Sequence, residues 1–315
     1  MKKISVASAP ATVANVNAGF DILGFSLPGI SDQVRAWVIA EPVVRIKEIV
    51  GVDIPSIPAK NTASVALQEM IKGEKLTHGF EIVIEKGIPL ASGLGGSAAS
   101  AVAAVVAGNQ LLKKKLSLEK LFFYALKGEE VASGGIHGDN IAPALYGGIT
   151  ACLKTSDGAF QIVPIRCPKK IFCSIFHPAF PLETKKARGI LKTEISLKDY
   201  IQQSMHLTGL LMGFNLGDYE LIYHHAKDII ITPQRKSLLP FYDLFYPALI
   251  KAQSLAFGIS GAGPSIFILS KNLPAAKKMS ALLTSLSHKH KVSGQVFTGQ
   301  VGAGKPEVTI LKVRE

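Results

Sequence analysis

The alternation of apolar and polar positions predicts a mixed succession of strands and helices. Ile4–Ala9 alternates weakly, and Val34–Ile39 and Val43–Ile49 read as two strands split by Glu41-Pro42. Gly79–Glu85, with the sequence GFEIVIE, alternates cleanly and predicts a half-buried strand. Thr62–Lys72 and Ser117–Ala132 carry apolar residues at helical spacing, with Asn61 and Ser117 as N-cap candidates. Ser97–Leu112 is different, a run of Ala and Val with almost no charge. A stretch apolar on every side is not a surface helix, so this one is expected to lie buried inside a domain. Pro10–Asp21 has no periodicity at all; its small and polar residues predict a loop of the kind that carries function.

Ile141–Leu153 reads as a turn followed by a strand, with Gly147-Gly148 at the bend. The composition changes near Lys154–Gly158, which places a domain boundary between residues 155 and 170 and predicts two domains, 1–160 and 161–315. The second half opens on a buried strand at Ile171–Phe176. Helices are predicted at Lys185–Leu191, Leu197–Gly213, Tyr219–Lys227 and near Phe241–Ala256. Ser265–Leu269 is a strand, Leu273–His288 a helix, and Lys291–Phe297 and Glu307–Val313 are strands. Strands and helices mix without strict βαβ order, which points to the α+β class.

At 315 residues the chain is long for one core, and 48% apolar residues place it among globular proteins. No apolar run reaches the roughly 18 to 20 residues that span a bilayer. The opening MKKISVASAP lacks the apolar core of a signal peptide. Cys152, Cys167 and Cys173 show neither zinc-site spacing nor a disulfide framework, so a reduced, cytoplasmic protein is expected. The net charge of +12 brings in nucleic acid as a partner class. The basic residues are scattered, however, and the densest runs, Lys113–Lys115 and His288–Lys291, lack interleaved aromatics. A positive field equally suits a site that gathers small anions.

Three glycine-rich segments carry candidate phosphate chemistry. Gly299–Lys305, GQVGAGK, matches most of a P-loop, but Pro306 stands where a Ser or Thr must bind Mg²⁺, and no helix follows. It is read as a surface turn. Gly93–Ala98 fits the dinucleotide pattern G-x-G-x-x-A, yet Lys86–Ser92 separate it from the strand before, and the acidic residue required downstream is missing. An NAD enzyme is therefore a weak alternative. By itself, Pro89–Gly96 feeding the buried helix reads either as a close-packing turn or as an anion cradle at a helix N-terminus.

The motifs taken together add a family. PLASGLGGSAAS (Pro89–Ser100) resembles the P-x-x-x-G-L-G-S-S-A-A signature of the GHMP kinases, and Ala9–Gly24 and Ser260–Ser265 resemble that family's other two motifs in the same order. Within the family, Ala9-Pro10-Ala11-Thr12, Ala14-Asn15 and Gly19–Gly24 are similar to the branch that phosphorylates homoserine rather than mevalonate or galactose. His137–Ala144, followed by Gly147-Gly148, is similar to the same branch. The resemblance implies a two-domain GHMP architecture, with an N-terminal ATP-binding domain like domain 2 of a ribosomal protein of the S5 type and a ferredoxin-like C-terminal domain. It implies ATP and Mg²⁺ as cofactors, L-homoserine as the small-molecule substrate, no membrane or nucleic-acid partner, and a homodimer. A kinase for a different alcohol and, from another class, a basic RNA-binding protein are the alternatives.

By the same resemblance, backbone groups of Gly93, Leu94, Gly95, Gly96, Ser97 and Ala98, with Pro89 and Ser92, form the triphosphate site, and Asn61 lies near the nucleoside. Glu129 is the expected Mg²⁺ ligand, with Glu130 as fallback. Gly96 replaces the usual serine hydroxyl, which leaves Ser97 as the nearest candidate. Arg188 and Arg235 are suited to a carboxylate through bidentate guanidinium bonds. Asp21 is suited to the substrate ammonium, supported by Asn15 or Asp139. His137 is placed to hydrogen-bond the substrate, and Asn140 to orient its hydroxyl. No Lys–Asp pair is evident because Thr12 and Val13 occupy the region of the lysine. Transfer without a dedicated side-chain base is the expectation, with Asp139 as the residue that would overturn it.

Overall fold

The computed structural model describes residues 2–133 and 137–313. Its centre is a long hairpin of β1 (Lys2–Val16) and β2 (Gly19–Ile39), turned at Asn17-Ala18. β3 (Val44–Val50), β4 (Gly79–Glu85), β5 (Ile149–Lys154) and β6 (Phe160–Ile165) extend this sheet. β2 is long enough to serve two partners, with Gln33–Ile39 pairing β4 and Leu23–Phe25 pairing β5. β7 (Phe172–Pro178), β8 (Ala256–Ile259), β9 (Ile266–Ser270) and β10 (Gly294–Gln300) form a second, antiparallel sheet in the order β10-β7-β9-β8. β11 (Glu307–Val313) then returns to the first sheet beside β1. The predicted α+β class is the one found.

Four helices cover the first sheet: α1 (Thr62–Gly73), α2 (Gly96–Leu111), α3 (Leu118–Ser133) and α4 (Ile141–Tyr146). α2 is the buried helix that its composition predicts. It lies against β1 and β2 on one side and α1 and α3 on the other, with Ala98, Ala101, Val102 and Val105 fully buried. Small side chains are what allow four elements to close on one helix. Asn61 caps α1, its Oδ1 accepting from the amides of Ala63 at 3.1 Å and Ser64 at 3.3 Å. Around the second sheet lie α5 (Thr184–Gly189), α6 (Leu197–Leu216), α7 (Tyr219–His225), α8 (Thr232–Arg235), α9 (Tyr242–Lys251) and α10 (Leu273–Lys289). No helix among the described residues is long and apolar enough to cross a membrane.

Several expectations need correction. Pro10–Val16 is strand, not loop: nearly every residue from Ala7 to Ala18 is buried. A strand covered on both faces loses the alternation by which strands are recognised. Ile141–Tyr146 is a short helix rather than a turn. The helix near Phe241 ends at Lys251, and Ala256–Ile259 is a strand. Gly299–Lys305 enters a turn without a following helix, as expected; Ala303 and Lys305 are exposed, while Val301 and Gly304 are buried and the turn is anchored to β2. Ser26 Oγ donates to the Gly304 carbonyl at 2.7 Å, and the Gly302 amide donates to the Ser26 carbonyl at 2.8 Å. Of the second glycine-rich loop, Gly134, Gly135 and Ile136 lie outside the described residues.

α1 and α3 approach closely at Gly128, where a Cβ would stand 2.4 Å from the Thr62 carbonyl oxygen and 2.9 Å from Ala66 Cβ. Gly128→Ala raises helix propensity, yet a backbone oxygen cannot swing aside as a side-chain tip does. The substitution is expected to cost roughly 1–3 kcal/mol, read as a lower melting temperature. An unchanged or raised melting temperature would show that α3 slides freely on α1.

Candidate active site

The three motifs meet through backbone hydrogen bonds. The Thr12 amide of β1 donates to the Leu94 carbonyl at 3.0 Å, and the Gly261 amide to the Ala14 carbonyl at 3.0 Å. Ser260 Oγ donates to the Gly93 carbonyl at 2.7 Å, and Asn15 Nδ2 to the Gly261 carbonyl at 2.8 Å. Gly93 adopts φ +76° and lies so close to the third motif that a Cβ would fall 2.3 Å from the Ser260 oxygen. This close approach is the reason for glycine there. Gly95, at φ 68°, precedes α2 with no side-chain cap, so the first amides of that buried helix are left for an anion.

A cavity of about 570 Å³ opens over this junction. Pro89, Ser92, Gly93, Gly95, Gly96 and Ser97 of the glycine loop line it. So do Asn61, Glu129, Asn15, Asp21, His137, Asp139, Asn140, Arg188 and Arg235. Two residues of the expected phosphate site do not: the Leu94 and Ala98 side chains are fully buried in the core. Asn61 lines the cavity with its polar atoms already committed to α1 and, through Nδ2, to the Pro55 carbonyl at 3.0 Å. Glu130 forms an ion pair with Lys127 at 3.3 Å and does not line the cavity.

Ser97 Oγ donates to Glu129 Oε1 at 2.8 Å. Burial raises the Glu129 pKa to about 7, with the Asp139 charge adding to the effect. Asp139 is also pushed up to about 7, first by burial and then by Asp21. Its backbone sits where Gly24 permits it, since a Cβ on Gly24 would fall 2.0 Å from the Asp139 oxygen. Here the Gly at the end of the first motif makes room for the second loop.

The same cavity is lined by two arginines. Arg188, on α5, grips Asp21 with two bonds of 2.8 and 3.0 Å. Arg235, on α8, is only 2% exposed and donates to the Ala187 and Gly261 carbonyls. Burial and the neighbouring Arg188 lower its pKa to about 10, which still leaves it charged at neutral pH. Both guanidinium groups sit over the Phe20 ring, at 5.2 and 5.0 Å from its centroid. Asp21 also has the His137 ring 3.6 Å away. Burial depresses the His137 pKa, so the ring is neutral at pH 7. The expected partners, Asp21 and Arg188, are thus engaged with each other.

Sequence reasoning missed the groups beneath the loop. Asp32 of β2 and Lys86, directly after β4, form a buried ion pair. Lys86 Nζ also donates to the Gly96 carbonyl at 2.8 Å and to Ser100 Oγ at 2.9 Å. The amides of Gly87 and Ile88 and the Ser100 hydroxyl donate to Asp32. The only signals were an acid just ahead of the predicted strand Val34–Ile39 and a lysine just after an alternating one, both of which normally mark solvated positions. The network also bears on Gly96: a Cβ there would stand 3.3 Å from Ile88 Cγ2 and 3.4 Å from Lys86 Nζ, leaving little room for a serine.

Comparison with known proteins agrees with this geometry. The family description "GHMP kinases N terminal domain" matches residues 59–148. A homoserine kinase of Xylella fastidiosa (strain 9a5c) is 42% identical over 86% of this chain and 83% of its own length. A homoserine kinase of Chloroherpeton thalassium is 37% identical over 89% of this chain and 91% of its own length. The crystal structure of homoserine kinase from Cytophaga hutchinsonii superposes with a TM-score of 0.92 at 37% identity, over 98% of each chain. L. major mevalonate kinase shares the fold at a TM-score of 0.68 and 15% identity. These matches set aside the dinucleotide and RNA-binding readings. The chain belongs to the homoserine kinases, a branch of the GHMP kinase family.

Proposed function

We infer that this chain transfers the γ-phosphoryl group of ATP to the hydroxyl of L-homoserine, giving O-phospho-L-homoserine on the route to threonine. One observation carries this reading beyond the family match. A single cavity is lined by the glycine loop, by a buried guanidinium and by a carboxylate near it. That is the complement of a zwitterionic amino acid facing a polyphosphate. The substrate carboxylate pairs with Arg235 and Arg188, and the ammonium takes the Asp21 carboxylate, so the substrate inserts into the existing Arg188–Asp21 pair. Asn15 holds the Asp21 amide at 2.9 Å and so fixes where that carboxylate points. The hydroxyl is left directed toward Asn140, with neutral His137 available to hydrogen-bond.

Phosphoryl transfer needs alignment and charge neutralisation more than a base. The amides from Gly93 to Ser97 and the positive end of α2 receive the phosphates. Ser97 and Glu129 fit a magnesium site, because Mg²⁺ is commonly held by one or two carboxylates together with substrate phosphates. Among the described residues no group of three or more His, Cys, Asp or Glu could hold a metal alone. When bound, the ion supplies neutralisation of charge on the phosphate oxygens. Asp139, raised to about 7, is protonated in a good fraction of molecules near neutrality, so we assign it no obligatory base role. The expected compartment is the cytoplasm.

A homodimer is also proposed. α6 leaves Leu197, Ile201, Met205, Met212 and Leu216 between 45% and 72% exposed, and no charged residue lies from Tyr200 to Leu216. The stripe is palindromic: about a twofold axis across an antiparallel copy, Leu197 meets Leu216 and Ile201 meets Met212.

Three outcomes test these readings. ADP release measured over a panel of amino-acid and isoprenoid alcohols is expected to select L-homoserine; turnover only of another alcohol overturns the substrate. The pH dependence follows from Glu129. Its folded pKa near 7 exceeds the ordinary 4.5, so the folded state retains a proton that the unfolded chain has lost between those values. Stability of the free protein therefore falls as pH rises from about 5 to 7, while MgATP, which selects the ionised carboxylate, binds more tightly over the same rise. Glu129→Gln should flatten the MgATP trend and only lessen the stability trend, because Asp139, also raised to about 7, contributes a fall of the same sign, as read by calorimetry and thermal melting; pH-independent MgATP affinity in the unaltered protein would remove Glu129 from the metal site. Sedimentation should give a dimer that Ile201→Glu with Met212→Glu converts to monomer; a monomeric parent at tens of micromolar contradicts the α6 interface.

A further inference from the structure

One buried hydroxyl touches both halves of the site and has no role in the scheme above. Thr12 Oγ1 donates to Asn140 Oδ1 at 2.8 Å, and Thr12 is fully buried. Its own amide donates to the Leu94 carbonyl in the phosphate loop. The hydroxyl also lies directly under Gly95, where a Cβ would fall 2.1 Å from Thr12 Oγ1 and 2.8 Å from Asn140 Oδ1. One residue of β1 therefore joins the loop that receives the donor nucleotide to the side chain that faces the acceptor alcohol.

We propose that Thr12 is a positioning residue that sets which way the Asn140 amide faces. A carboxamide carries one acceptor and one donor group on the same planar head. With Oδ1 accepting from Thr12, Nδ2 is the group turned toward the cavity. Asn140 then meets the reacting centre as a hydrogen-bond donor only. A donor there orients the lone pair of the incoming hydroxyl oxygen and favours negative charge gathering on the phosphoryl oxygens. It cannot withdraw the hydroxyl proton. In the transfer, the hydroxyl oxygen forms the bond to γ-phosphorus, the bond to the β–γ bridging oxygen breaks with its electron pair leaving on ADP, and the hydroxyl proton passes to a phosphate oxygen. Because Thr12 is bonded to the phosphate loop as well, the donor head and the nucleotide share one anchor and stay in register. This inference rests on the homoserine kinase reading.

The test is a double-mutant cycle on the full chain. Thr12→Val removes the hydroxyl at nearly constant shape, and Thr12→Ser retains it. Thr12→Val is expected to lower kcat by roughly 10- to 100-fold with KM for homoserine and for ATP changed less than about threefold. Thr12→Ser should recover most of the activity. Asn140→Ala combined with Thr12→Val should be no slower than Asn140→Ala alone, since the hydroxyl acts only through that amide. Losses that multiply, a Thr12→Ser variant as poor as Thr12→Val at equal melting temperature, or a rise in KM with kcat intact would each overturn the proposal. Absence of homoserine turnover by the unaltered protein is a separate failure and falls on the activity itself.

Discussion

The arrangement depends most on a charge pair that never meets solvent. Asp32 and Lys86 lie under the phosphate loop with side chains 0% and 3% exposed. Burying two ions is unfavourable unless every donor and acceptor finds a partner. Here the carboxylate receives the Gly87 and Ile88 amides, the Ser100 hydroxyl and the ammonium, and the ammonium reaches on to the Gly96 carbonyl. The pair ties β2, the end of β4 and the first turn of α2 together. Without it the glycine loop would have backbone freedom and nothing to oppose it. With it, a segment rich in residues that resist order holds one conformation.

That constraint explains how weak local signals add up to a site. Gly93 and Gly95 allow a backbone path that other residues resist. Contacts from the third motif, from Thr12 and from Lys86 then select one path among those allowed. The electrostatics follow the same logic. Glu129 and Asp139 are buried near each other and held toward their neutral forms. The two guanidinium groups lie over Phe20, and Arg188 pairs with Asp21. The cavity lining therefore combines cationic groups at the arginines, the positive start of α2, and buried acids that a cation would draw into their charged forms.

Much of this was legible in the chain, though unevenly. The α2 run announced its burial because no surface helix tolerates so little polarity. Gly79–Glu85 and Glu307–Val313 matched their observed bounds, although the alternation of Gly79–Glu85 does not mark a solvated face: Phe80, Ile82, Val83 and Ile84 are all buried. Pro10–Val16 was misread because a strand buried on both faces has no alternation to detect. Arg188, Arg235, Asp21 and Glu129 were nameable from motif resemblance and come together in one cavity. Leu94 and Ala98, named from the same stretch for their backbone groups, turn their side chains into the core, because a helix start must turn some side chains inward.

By itself the sequence determined the element types, the α+β class, the three glycine-bearing motifs and the residue kinds suited to an amino acid and a polyphosphate. These depend on local periodicity, on backbone freedom at particular positions and on the chemistry of single side chains, all written along the chain. Only the tertiary structure decided that Arg188 holds Asp21, that Ser97 meets Glu129, that Thr12 reaches Asn140, and that Asp32 and Lys86 lie beneath the loop. Thr12 and Asn140 stand 128 positions apart and Arg188 and Asp21 stand 167 apart. No local pattern encodes such contacts. They exist because burying the faces of the two sheets leaves few ways to close the chain, and each way brings a different set of distant side chains together.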